Sequence, residues 1–263
     1  MNILISNDDG IYANGIKALC ETLSSSYDVY LIAPNQERSA AGHSITLNSP
    51  LRVEEVDPLY GAKRSWAVSG TPGDCVKIGV NAVLSNEEQP DIIISGINHG
   101  PNLGHDIIYS GTVSCAIEGA MMNIPSIAVS LNSYKPEFED FTFSATFIKS
   151  LIPKLKDFKF PEKSILNINV PGIPQDEING IVVTEMGGRM FTDNYEKRID
   201  PRGKTYYWMA GKLSTEKENE NSDIYAIRQN KISISPLTFN LTRKDVLEDL
   251  NSVLCKDNLC NWF

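Results

Sequence analysis

Two adjacent aspartates, Asp8 and Asp9 in the stretch NILISNDDGIYANGIKAL, are the residues of this chain that most directly raise a question of chemistry. Neighbouring carboxylates repel, and each must stay solvated unless a cation holds the two together. A solvated turn using Asp9-Gly10 would account for the pair taken alone. The pair has company, however. The stretch Asn35 to Ser44, then Gly70-Thr71, then Gly96 to Asn102 contribute hydroxyls, carboxamides and glycines, with few positive charges. All three histidines, His43, His99 and His105, lie in or beside these segments, each read as a loop hydrogen-bonder before a catalyst. Carboxylate, hydroxyl and carbonyl oxygens suit Mg²⁺, Mn²⁺ or Ca²⁺, whereas zinc would favour His and Cys. The glycines of SGINHGPNLGHDIIYSGT let backbone approach a ligand, and a helix starting after Ser110-Gly111-Thr112 offers its first amides to an anion. A cation beside an anion cradle points to a phosphate ester as substrate.

The elements that would position these residues alternate in type. Asn2 to Ser6 reads as a buried strand, and Ile16, Leu19 and Leu23 are spaced for a helix, so Asp8 and Asp9 fall in the turn between. DVYLIAP is a second strand followed by the polar loop NQERSAAGHSIT, and LRVEEV and SWAVSG form a strand pair. Thr71-Pro72 supplies an N-cap and a first-turn proline for a helix with Val76, Val80, Val83 and Leu84 on one face. DIIISG, a helix over about Thr112 to Met122, and SIAVSL continue the alternation. Such a pattern predicts an α/β fold, a mainly parallel sheet covered on both sides, whose strand carboxyl ends share one edge.

The rest changes character. A helix over about Phe141 to Leu155 and the strands ILNINV and GIVVTEM still fit the layers. From about Asp193 to Ser222 the chain is polar with one aromatic island, TYYWMAGKL, and reads as a β-hairpin arm. DIYAIRQNKISISPL reads as two short strands around a Gln-Asn-Lys turn, and Lys244 to Cys255 as a last helix.

The chain has 263 residues and a formal charge of −9, with 24 basic against 33 acidic residues and no basic stripe, which argues against long nucleic acid as a partner. No apolar run approaches the roughly 20 residues of a membrane span, and the first residues lack a signal peptide's pattern, so the expected location is the cytoplasm. The five cysteines, Cys20, Cys75, Cys115, Cys255 and Cys260, are read as reduced packing residues.

With these motifs in place, the chain resembles the SurE family of stationary-phase survival proteins. The resemblance is carried by ILISNDDGIYANGI, APNQERSAAGHSIT, SGTPGDCV and SGINHGPNLGHDIIYSGTVSCAIEGA, in that order over most of residues 1 to 131, and more weakly by DPRGKTYYWMAG. It implies one domain over 1–263 with a Rossmann-like three-layer α/β/α core and a protruding hairpin, about 193–222, used in assembly as a homodimer or homotetramer. It implies a metal-dependent 5'-nucleotidase acting on nucleoside monophosphates, with 3'-monophosphates, other phosphate monoesters and short polyphosphate as further candidate substrates. By motif, Asp8, Asp9, Ser39 and Asn98 would hold one divalent metal ion per subunit, Mg or Mn, with Ca a candidate in a crystal. Asn102, Ser110, Gly111 and Thr112 would hold the phosphate, and Asp8, Asp9, Asn102 and Ser110 would carry catalysis. Some members have His where this chain has Thr238, which leaves water or Asp223 as candidates to protonate the leaving group.

Two other readings share the acidic turn. A haloacid-dehalogenase-type phosphatase needs an aspartate nucleophile where Asn7 stands. A Mg-binding phospho-receiver module needs a phosphorylatable Asp after a buried strand, and Asp57 follows the half-charged LRVEEV.

Overall fold

The computed structural model describes residues 1–40, 42–134, 138–188, 191–192, 194–213 and 217–256. In chain order the main elements are β1 (Asn2–Ser6), α1 (Asn14–Leu23), β2 (Asp28–Pro34), β3 (Val53–Val56), β4 (Arg64–Val68), α2 (Pro72–Ile78), β5 (Ile92–His99), α3 (Gly111–Met121), β6 (Ser126–Asn132) and α4 (Phe138–Leu151). Then come β7 (Ser164–Pro171), β8 (Ile181–Val183), β9 (Phe191–Thr192), β10 (Tyr195–Ile199), β11 (Thr205–Met209), β12 (Lys212–Leu213), α5 (Asp223–Arg228), β13 (Ile232–Thr238) and α6 (Leu247–Lys256).

Nine strands form one sheet in the order β3-β4-β2-β1-β5-β6-β7-β13-β8. The run from β4 to β7 is parallel throughout, while β3 and β13 each lie antiparallel to their inner neighbour. Alternation along β1 explains the layers. Ile3 and Ile5 pack with Ile16, Leu19 and Leu23 of α1 and with Phe141, Ala145 and Ile148 of α4. Leu4 faces the other way, into a cluster with Cys75 and Val76 of α2 and Cys115 of α3. Burial on both faces is what the three consecutive isoleucines of β5 require.

Thr71 caps α2 as its type and spacing suggest: its hydroxyl accepts from the Asp74 N–H, and Asp74 accepts from the Thr71 N–H. The helix is shorter than the apolar pattern implied and passes into a wider turn over Gly79–Val83.

One segment departs from its expected form. Residues Asp223–Arg228 are helical, and only Ile232–Thr238 is a strand. Ser222 accepts from the Tyr225 N–H as an N-cap, and Ile224 and Ile227, three apart, bury one face; the alternation in DIYAIR had the helical period hidden in it. The aromatic stretch does form a hairpin, β10 with β11, while β9 pairs with β12 at its base. Tyr195, Ile199, Tyr207, Trp208 and Met209 are each about three-fifths exposed or more, so the hairpin buries little of its own apolar surface. Cys20, Cys75 and Cys115 are free and buried as read, but Cys255, in α6, is disulfide-bonded, which corrects the expectation of a reduced thiol there.

Candidate active site

Chain order and sheet order reverse at one place. From β1 the chain moves outward to β2 and β4, and from β5 it moves the opposite way to β6 and β7, so the carboxyl ends of β1 and β5 flank a crevice. Open α/β sheets bind ligands at this point. Asp8 and Asp9 leave β1 there, and Asn98 stands in the last turn-ward residues of β5, after a register shift between Ser95 and Asn98.

The acidic turn is built rather than loose. Asn7 is fully buried; its amide donates to the Gly10 carbonyl at 2.9 Å and its carbonyl accepts from the Gly10 N–H at 3.1 Å. Gly10 closes the turn at φ +99°, a conformation that L side chains rarely adopt. Asn7 is therefore occupied as a turn former, which removes the dehalogenase-type reading. Asp57 is exposed beyond the antiparallel edge strand β3, which removes the receiver reading.

Asp8 is buried. It accepts the Thr112 hydroxyl at 2.5 Å and the main-chain N–H groups of Gly111 and Thr112, so it sits on the N-terminus of α3. Burial nevertheless raises its carboxyl above the usual range. Asp9 is pushed up to about 6, by burial first and then by the charge of Asp8, although the His99 N–H donates to it at 3.1 Å. Gly111 permits the approach to Asp8: a Cβ there would lie 2.7 Å from the Asp8 Cβ and 2.8 Å from its Oδ2. A cavity of about 360 Å³ opens beside Asp9, lined also by Asn14, Glu37, His99 and Phe141.

The other candidate residues are placed as follows. Asn98 donates its amide to the Gly100 carbonyl at 2.8 Å, which leaves the carbonyl oxygen as the end that can meet a cation. Ser39 is exposed and donates to Glu37 at 2.5 Å. The Arg38 N–H donates to the Asp8 carbonyl at 2.7 Å, which ties the Ser39 loop to the acidic turn. Ser110 caps α3 by accepting from the Val113 N–H at 3.1 Å, so its own hydroxyl proton is available to a ligand. Gly111 and Thr112, expected beside the phosphate, here hold Asp8. Asn102 is buried, and its amide donates to Ser130 at 2.7 Å.

This donor set fits a hard dication. Two carboxylates whose charged forms burial disfavours, Asp9 feeling the charge of Asp8 as well, are what a cation would relieve, and neutral oxygens complete the set. Among the described residues no group of three or more His, Cys, Asp and Glu is arranged to hold a metal, as expected of a site with only two such ligands.

Sequence reasoning missed Glu118. This buried residue of α3 lies 2.9 Å from His43 Nε2 and accepts from Lys77 at 3.1 Å; the His43 bond, and then Lys77, keep its carboxyl below the usual range. A charge in the helical stretch SCAIEGA offered no signal of its partners. His43 and Thr46, the latter bonded to Asp74 at 2.6 Å, anchor the far half of the Ser39 loop.

Of the two candidates for leaving-group protonation, water and Asp223, the second does not survive. Asp223 is fully buried and spends its oxygens on the N–H groups of Gly104, Gly187 and Ile224. Thr238 pairs with Ser164 at the start of β7, because β13 runs antiparallel, and so lies at the sheet edge opposite the crevice.

Fold and site together define a three-layer α/β protein with an oxygen-rich acidic centre at its sheet switch point. The family model described as Survival protein SurE matches residues 3–193. The chain is 47% identical over 260 residues to the 5'-nucleotidase SurE of Thermosynechococcus vestitus, covering 97% of each chain. It is 47% identical over 263 residues to the 5'-nucleotidase SurE of Pelotomaculum thermopropionicum, covering 99% of this chain and 98% of that one. The crystal structure of the SurE protein from Aquifex aeolicus superposes with a TM-score of 0.83 at 38% identity, covering 96% of this chain and 99% of that one. The chain belongs to the SurE family.

Proposed function

We propose that this protein is a metal-dependent phosphatase that hydrolyses nucleoside 5'-monophosphates to nucleoside and phosphate. The observation that carries the reading is the Asp8–Asp9 pair, two adjacent carboxylates, one of them buried, at the carboxyl end of β1 where the sheet order reverses. Relatives of matching length named 5'-nucleotidase support the same substrate class. 3'-Monophosphates and short polyphosphate are the further substrates to test.

Asp8, Asp9, Ser39 and Asn98 would hold one Mg²⁺ or Mn²⁺. Bound there, such an ion supplies charge neutralisation for a phosphate dianion and a lowered pKa for water. Asn102 and Ser110 keep donor hydrogens for phosphate oxygens, and the N-terminus of α3 adds its favourable field. Asp8, already accepting from Thr112, orients the attacking water or takes its proton. The ester's alcohol part extends into the cavity beside Asp9, where Asn14 and Glu37 offer polar partners to a sugar and Phe141 an apolar wall. Among the described residues no helix is long and apolar enough to cross a membrane.

The deciding experiment is a panel of nucleotides and p-nitrophenyl phosphate, assayed with the purified protein before and after exhaustive chelation and after adding back Mg²⁺ or Mn²⁺. Full turnover after chelation would refute the metal requirement, and absence of turnover on every nucleotide would refute the substrate class.

A further inference from the structure

The strand β7 carries two asparagines, Asn167 and Asn169, in the otherwise apolar run ILNINV, and both are fully buried. Their spacing places them on one face. Asn169 stands opposite Ser130 on β6, which stands opposite Asn98 on β5, so a polar row crosses three strands and begins at a candidate metal ligand.

What the asparagines bind is the main chain of Asn102. Asn169 Oδ1 accepts from the Asn102 N–H at 2.9 Å, and Asn169 Nδ2 donates to the Asn102 carbonyl at 2.9 Å. Asn167 Nδ2 donates to the same carbonyl, also at 2.9 Å. A carboxamide alone among side chains sets a donor beside an acceptor in this way without charge. Asn102 lies outside any helix or strand, so no backbone ladder fixes it, and these side chains do so instead.

The cost of the arrangement argues that it serves more than the core. The buried Asn167 Oδ1 has no hydrogen-bond partner among the described residues. An unpaired buried carbonyl is destabilising, and apolar residues could fill this strand face without that penalty if Asn102 did not need holding.

We propose that Asn167 and Asn169 are positioning residues for the substrate's phosphate. They fix the Asn102 backbone while Ser130 takes one hydrogen of its side-chain amide, so that the second hydrogen faces a phosphoryl oxygen. The inference rests on the assignment of Asn102 to phosphate under the proposed function.

The test measures KM and kcat for p-nitrophenyl phosphate, the inhibition constant of inorganic phosphate, and Mn²⁺ affinity without phosphate, in the full-length protein. Asn169→Leu should raise KM and the phosphate inhibition constant about tenfold together, the scale set by one or two lost hydrogen bonds, with kcat within about threefold and Mn²⁺ affinity within about twofold. Should that variant not fold, Asn167→Ala decides, because it also deletes the unpaired carbonyl; the same split is expected at about threefold. A folded variant with unchanged KM and inhibition constant overturns the proposal, as does one in which phosphate and Mn²⁺ binding weaken in parallel, the mark of general damage. Asn102→Ala separates the levels. If it weakens phosphate binding while neither β7 variant does, the positioning role fails and the Asn102 assignment stands. If it leaves phosphate binding unchanged, the assignment itself fails and the positioning role with it.

Discussion

The Thr112 hydroxyl donates to Asp8 at 2.5 Å, joining the turn after the first strand to the first turn of α3 across 104 residues of sequence. The contact favours the charged form of a carboxylate that burial pushes the other way. Hydrogen bonds to a charged group contribute about 1.5 to 3 kcal/mol. Thr112→Val keeps the shape and removes the donor. Asp8 should then hold its proton more tightly, and metal must compete with that proton. Calorimetric titration with Mn²⁺ should show affinity falling, by about tenfold at pH 6 and by less at pH 8. Equal affinity to wild type at both pH values would remove Thr112 from the site.

Asp9 gives a prediction about stability. Its carboxyl is raised from 3.8 to about 6, by burial and by Asp8. Between those values the folded protein binds more protons than the unfolded chain, so metal-free stability is greatest below pH 4 for this group and is lost as pH rises to about 6. Above that it stays low. Asp9→Asn should therefore raise the metal-free melting temperature at pH 7.5 and flatten its pH dependence between 4 and 6, while removing most phosphatase activity. A lower melting temperature at pH 7.5 would show that the carboxylate is stabilising without metal and would contradict the shift.

Gly111→Ala tests the approach of α3 to the acidic turn. Alanine suits a helix better than glycine, but its Cβ would stand within 2.8 Å of Asp8. Overpacking of this kind costs about 1 to 3 kcal/mol. Denaturant melts should show that loss, and Mn²⁺ binding should weaken with it because Asp8 is displaced. Gain of stability with unchanged Mn²⁺ affinity would mean that the two segments separate freely.

How far the sequence foretold this site depended on whether partners were local. Asp8, Asp9, Asn98 and Ser110 could be placed because each follows a strand or opens a helix, and strand ends share an edge. Thr71 and Pro72 announced a helix for the same local reason. The partners of Glu118 and the targets of Asn167 and Asn169 could not be placed, since each contact spans more than 40 residues. Two asparagines at a spacing of two inside an apolar strand were nevertheless a visible anomaly. The segment DIYAIR misled because six residues satisfy both periods, and its cap, Ser222, was assigned to the preceding arm. The edge of the sheet at which Thr238 lies could not be read either, because the antiparallel direction of β13 is invisible in the motif itself.

The aromatic hairpin supplies the last prediction. β10 and β11 pair from Tyr195 with Met209 to Ile199 with Thr205, and Tyr207, Trp208 and Met209 are all more than half exposed. A two-stranded ribbon has no third layer to cover its faces, and one that projects this much aromatic surface fits an interface with a second copy of the chain. Homodimers or larger assemblies are the expected form in solution. The deletion that tests this must spare Ser222, which caps α5, and Glu185, which pairs with it. Tyr195 and Met209 face each other across the ribbon, so a short Gly-Ser turn can replace residues 196–208 without straining the base. Light scattering should report a smaller assembly for this variant, and its melting temperature should be nearly that of the wild-type protomer, since the ribbon contributes little to the core. An unchanged mass would show that the assembly, if any, is held elsewhere, and would return the exposed aromatics to ordinary surface.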